Sequence, residues 1–147
     1  MTLTREIWRQ KWLSSINELT SLDLQRKSWL DRHQTNQHWS FVEFMCSYFD
    51  DLLCDFPYSH YIEISWVSPQ EYDVLSDWHN ALEKYKSPNN DDNDRAAILG
   101  DNKWLEIVKA GEKAKERLAG ILNNEERQAL TKTIDYLQYT ESKPNIA

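Results

Sequence analysis

Apolar residues recur at helical spacing along most of the chain. From Thr4 to about Thr20, Trp8, Trp12, Ile16 and Leu19 are separated by four, four and three positions, which is one face of an amphipathic helix. Ser21 is placed to cap a second helix whose Leu22, Trp29 and Leu30 point inward, and which ends near His33 before the polar run Gln34-Thr35-Asn36-Gln37. Ser40 followed by Glu43 reads as a reciprocal capping box, with Trp39 and Phe44 as its hydrophobic staple, so a third helix is predicted to begin at Phe41. Phe41, Phe44, Met45, Tyr48, Phe49, Leu52 and Leu53 then form a broad apolar stripe, which marks this helix as the expected centre of the fold. Its other face carries Glu43, Ser47, Asp50, Asp51 and Asp55, with no basic residue three or four positions on to neutralise them.

Between residues 56 and 67 the pattern changes. Ile62, Ile64 and Trp66 alternate with Glu63 and Ser65, a period of two with no second strand to pair with. The segment therefore reads as an ordered, aromatic-rich loop, with a short strand edge and a helix as the alternatives. Ser68-Pro69-Gln70-Glu71 is a second capping box with proline at the first helical position. The helix it opens is predicted to run to about Lys86, with Leu75, Trp78, Leu82 and Tyr85 inward and Asp73, Asp77 and Asn80 in an outward row. Residues 87–94 are turn formers and acids and form the expected mobile loop. A short helical turn over Arg95–Leu99 ends at Gly100, and Asp101 can cap the next helix. That helix uses Trp104, Ile107, Val108, Ala114, Leu118, Ile121 and Leu122, and Gly111 on its apolar face implies a close helix crossing. A last helix after Asn123 buries Ala129, Leu130, Ile134 and Leu137. The expected fold is all-α: a single irregular helical bundle over residues 1–147, with about six main helices.

Composition supports this. With 3 Gly and 4 Pro in 147 residues there are too few turn formers for a sandwich or barrel of short strands, and 18 aromatic side chains are enough to build a core. No apolar run reaches the roughly 18 residues of a membrane span, and the N-terminal MTLTREIWRQKW is too polar for a signal peptide, so the chain is read as cytoplasmic. Cys46 and Cys54 form no disulfide framework and read as reduced packing residues.

Charge adds what periodicity does not. The formal net charge is −7, yet no Lys or Arg occurs from His33 to Glu83, a window that holds nine carboxylates. Phosphate recognition needs clustered Lys or Arg, so direct nucleic-acid binding is not expected, and neither is an anionic membrane surface. A basic protein would instead be attracted and steered. His33, His38, His60 and His79 lack metal-ligand spacing, the acids of the third helix lack a calcium loop, and glycines at 100, 111 and 120 make no phosphate cradle, so no metal, cofactor or catalytic residue is assigned. Tyr58, Tyr61 and Trp66 fall outside the helical core pattern, within the acidic window, and are expected to form an aromatic rim for a cationic surface.

The segments WLSSINEL and FVEFMCSYFDDLL, in a small acidic helical chain, resemble bacterial immunity proteins of toxin–immunity pairs, including those of contact-dependent growth inhibition. The resemblance implies tight binding to one cognate toxin domain, commonly a basic nuclease, whose active site or substrate groove is covered. The expected function is that of a non-enzymatic inhibitor contacting its basic partner through Glu43, Asp50, Asp51, Asp55, Tyr58, Tyr61, Glu63, Trp66, Asp73 and Asp77. The alternative is a helical adaptor or regulator that forms homo- or hetero-oligomers.

Overall fold

The computed structural model describes residues 3–138 and contains eight α-helices and no strand among them. Helix α1 spans Arg5–Leu19 and is capped by Thr4, whose hydroxyl accepts from the Ile7 N–H. It is the centre of the fold. The expectation that the third helix holds that place is corrected, because α1 is packed by α2 (Leu22–Trp29), α3 (Phe41–Cys46), α7 (Asn102–Ala119) and α8 (Asn124–Thr131). Every residue from Ser15 to Leu19 is buried, so little of its second half meets solvent. The polar groups this encloses are paired. Gln25 donates to the carbonyls of Glu18 and Leu19 at the α1 C-terminus, and Trp104 Nε1 donates to Gln25 Oε1 at 3.0 Å.

Helix α2 stops at Trp29, earlier than expected, and Leu30 is exposed rather than inward. Asp31 accepts from the His33 backbone N–H and turns the chain, while Arg95 Nη1 donates to the carbonyl of Trp29. Helix α3 begins at Phe41 with the Ser40 hydroxyl as cap, and Trp39 packs on Phe44 at 6.0 Å between ring centroids. It then widens into π-helical turns over Ser47–Leu52, with the Leu53 N–H bonded to the carbonyl of Tyr48. The expected apolar stripe is maintained through this change, with Phe41, Phe44, Tyr48, Leu52 and Leu53 all buried.

The segment expected to be a loop contains helix α4, Tyr58–Glu63. Helix α5 (Pro69–Lys84) has the full Ser68–Glu71 capping box. Residues 87–94 hold a single 3-10 turn at Pro88–Asn90, tied by Ser87 Oγ to Asp92 at 2.6 Å. The short helix α6 (Arg95–Leu99) leads into α7, which crosses α5 closely. A Cβ added at Gly111 would lie 2.6 Å from Thr20 Cγ2 and 2.7 Å from Trp78 Nε1, so only glycine fits this crossing. Helix α8 ends at Thr131 instead of continuing: Lys132 turns extended, its carbonyl accepts from Asn17, and Leu137 is exposed.

Six of the seven tryptophans are buried. Trp29, Phe41, Phe44 and Trp104 form one cluster of edge-on and tilted rings; Trp8, Trp12, Tyr58 and Tyr61 form another beneath α4. No helix among the described residues is long and apolar enough to cross a membrane.

Candidate functional site, an acidic pocket beside helix α5

The carboxylates of the charged window separate into two kinds. Glu71 belongs to the interior. Arg9, 3% exposed, sends all five of its N–H bonds inward: two to Glu71 at 3.0 and 2.8 Å, two to Glu126 at 2.7 and 3.1 Å, and one to the Trp66 carbonyl at 2.8 Å. Its guanidinium also lies over the Trp12 ring, 5.2 Å from the centroid. Burial pushes the Glu71 carboxyl up, but hydrogen bonds from Arg9 and from the Ser68 backbone outweigh it, and the net shift is downward. This cluster joins α1, α5 and α8; one guanidinium is shared by two carboxylates, so each has a cationic partner.

The other carboxylates make no ion pair within the described structure. Asp50, Asp51, Asp55, Glu63, Asp73, Asp77 and Glu83 are exposed and Glu43 is half-buried. Burial raises the Cys46 thiol, and Asp50, Glu43 and Asp51 raise it further, which places these three acids around one point of α3 and its π-helical extension and leaves the thiol protonated. On α5, Asp73, Asp77 and Asn80 form the expected outward row.

That row meets a pocket of about 310 Å³ at Asn80. The pocket lies between the end of the π-helical segment, the start of α4 and the outer face of α5, and Asp55 and Glu83 bring its two carboxylates. Cys54 and Asp55 both have positive φ (53° and 63°), a left-handed turn that carries the chain out of the π-helix and sets Asp55 at the pocket edge. Phe49, Phe56 and Tyr72 supply aromatic wall, and Phe56 is 51% exposed.

The floor is a hydrogen-bonded chain from the core. Trp12 Nε1 donates to Tyr58 Oη at 2.9 Å, Tyr58 and Tyr48 share a bond of 2.6 Å, and Tyr48 Oη lies 2.9 Å from His79 Nδ1. Burial raises the pKa values of both tyrosines, so the phenols keep their protons. Burial lowers that of His79, with the Glu83 charge opposing, so its imidazole is neutral. Tyr61 is held separately by bonds from its hydroxyl to the carbonyls of Leu52 and Leu53.

Two site expectations are thereby corrected. Tyr58 and Tyr61 are 3% and 4% exposed and point into the core, because α4 turns its Tyr58–Tyr61 face inward; they cannot form an exposed rim. Trp66 is half-buried against Trp8. Of the acidic residues singled out from the sequence, Asp55 enters the pocket, Asp73 and Asp77 approach it along α5, and Asp51 lines a separate groove. Sequence reasoning missed Phe49, Phe56, Tyr72, His79 and Glu83 as site residues. The available signal was His79 and Glu83 four positions apart on one helix face.

The separate groove, about 680 Å³, runs along α1 and mixes signs, with Lys11 and Lys132 beside Glu18 and Asp51. Its Glu18 carboxylate is already engaged by His38 Nε2 at 2.7 Å. No group of three His, Cys, Asp or Glu side chains among the described residues could hold a metal ion. Comparisons with protein-family models, curated proteins and solved structures return no match. The fold and site thus define an irregular all-α domain with an acidic, aromatic-walled pocket, and its own geometry carries the functional reading.

Proposed function

We propose that this chain is a binding protein that neutralises a basic protein partner by covering it with the acidic face formed by α3, its π-helical extension, α4 and α5. The observation that carries this reading is that eight carboxylates, Glu43, Asp50, Asp51, Asp55, Glu63, Asp73, Asp77 and Glu83, remain at least partly accessible with no ion pair inside the described structure, whereas Glu71 is buried and paired with Arg9. Unpaired charges of one sign raise encounter rates with an oppositely charged surface and disfavour other partners. The resemblance of the segments WLSSINEL and FVEFMCSYFDDLL, in the first and third helices, to immunity proteins supports a bacterial toxin domain, including a nuclease, as that partner, blocked at its active site or substrate groove. The assigned role needs no catalytic residue and no cofactor.

The test is co-expression. The purified chain is used to capture partners over a salt gradient, and each recovered protein is then produced with and without it. A basic, growth-inhibitory protein whose toxicity disappears on co-expression is the expected result. Recovery of self-complexes or of a neutral helical protein alone would overturn the inhibitor reading in favour of an adaptor.

A further inference from the structure

We infer that the α5 pocket is an arginine receptor: it takes one guanidinium side chain of the basic partner, with Asp55 and Glu83 meeting the charge and His79 donating a hydrogen bond to the neighbouring backbone carbonyl. This rests on the proposed basic-partner function and names the chemistry of its central contact.

The direction of the buried hydrogen-bond chain identifies the donor. Trp12 Nε1 can only donate, so Tyr58 accepts at that end. The arrangement that uses every hydroxyl proton then runs outward, Tyr58 to Tyr48 and Tyr48 to His79 Nδ1. The reverse direction would leave the Tyr58 proton without an acceptor. With Nδ1 accepting, the imidazole proton sits on Nε2. His79 is 8% exposed, lines the pocket, and makes no hydrogen bond through Nε2 among the described residues. Nε2 is not among the buried polar atoms that lack a partner, so it opens toward the pocket, where a carbonyl oxygen can accept its proton.

The walls select the cation. Asp55 and Glu83 stand unpaired beside Phe49, Phe56 and Tyr72. A planar guanidinium stacks on aromatic rings and offers several N–H donors to carboxylates, whereas an ammonium is a strongly hydrated point charge. The volume, about 310 Å³, is at the lower end for small-ligand pockets, suited to one side chain rather than to a folded segment. Arg9 shows two carboxylates and an aromatic face already satisfied around a guanidinium inside this chain, with a backbone carbonyl as its fifth acceptor.

The test is an NMR titration of the full chain with Nα-acetyl-arginine methylamide, its neutral citrulline analogue and its lysine analogue, read at the His79 imidazole nitrogens and the Phe49 and Phe56 rings. A hexa-arginine peptide is titrated in parallel. The arginine probe is expected to move these signals, to bind more tightly than the other two, and to lose about tenfold or more in affinity in Asp55→Asn/Glu83→Gln. Both substitutions are at exposed positions, and near-UV circular dichroism verifies the fold. An arginine probe that binds no better than citrulline or lysine, or that shifts signals elsewhere, would overturn the receptor. Hexa-arginine that responds to Asp50, Asp51, Asp73 and Asp77→Asn but not to the pocket pair would overturn the receptor and leave the basic-partner reading standing. Hexa-arginine that ignores both sets of substitutions would overturn the two together.

Discussion

The Arg9 cluster and the α5 pocket gather similar side chains and resolve them in opposite ways. In the first, two carboxylates and a tryptophan face surround a guanidinium supplied by α1, and every donor is used. In the second, two carboxylates and three aromatic rings surround space, with a histidine donor at the floor. Compensated charge ties helices together and contributes to the fold; uncompensated charge contributes little to folding and is left for recognition.

Removing the internal cation is the most direct way to break this contrast. Arg9→Met leaves Glu71 and half-buried Glu126 without their partner and is expected to cost about 3–5 kcal/mol in urea unfolding. Removing the two stranded carboxylates with Glu71→Gln and Glu126→Gln in the same chain should recover much of the loss, which would identify the unpaired charge as its cause.

Next in size is Tyr48→Phe, which interrupts the chain between Tyr58 and His79 in a fully buried place. A loss of about 1–3 kcal/mol is expected from the same measurement. A change below about 0.5 kcal/mol would mean that this network does not hold the pocket floor.

The pH dependence sharpens the comparison, because the two regions titrate in different windows. The native pKa of His79 is lowered from 6.5 by burial, so as pH falls below about 6.5 the unfolded chain takes up a proton that the native one refuses, and stability declines. Glu71 has its native pKa lowered from 4.5, so its stabilisation is present above about pH 4.5 and is lost as pH falls further. Unfolding followed from pH 8 to pH 3 should therefore weaken in two stages, the first reduced in His79→Gln and the second in Arg9→Met.

The smallest stability effect belongs to the pocket. Asp55→Asn/Glu83→Gln should leave the unfolding midpoint within about 0.5 kcal/mol of wild type, or raise it slightly by removing like charges. A large loss would assign these carboxylates to the fold rather than to a ligand.

Much of the scaffold was legible because local chemistry specifies it. Ser40, Ser68, Asp101 and Asn123 each cap the helix that their side-chain type and spacing predicted, and Phe41, Phe44, Tyr48, Leu52 and Leu53 of the expected stripe are buried, with Met45 and Phe49 half-buried. Helix α4 was not legible. Its cap position is Pro57, which offers no side-chain acceptor, and its six residues are held by tertiary bonds that Tyr58 accepts from Trp12 of α1 and Tyr61 donates to the π-helical segment. The end of α8 was missed for a similar reason, since Asn17, over a hundred residues away, draws the Lys132 carbonyl out of helix. In the site, the acidic window was visible but its division was not. Glu71 is removed from it by Arg9, 62 positions earlier, and Asp55 meets Glu83 only after α4 and α5 have packed.

The most direct test of the uncompensated acidic face is the ionic-strength dependence of association between this chain and the basic protein recovered with it, measured by stopped flow. Replacing Asp50, Asp51, Asp55, Asp73 and Asp77 by Asn is predicted to slow association by about tenfold or more at low salt and to flatten its salt dependence, with the fold intact. An unchanged rate and an unchanged salt slope in that variant would contradict the acidic face as the binding surface.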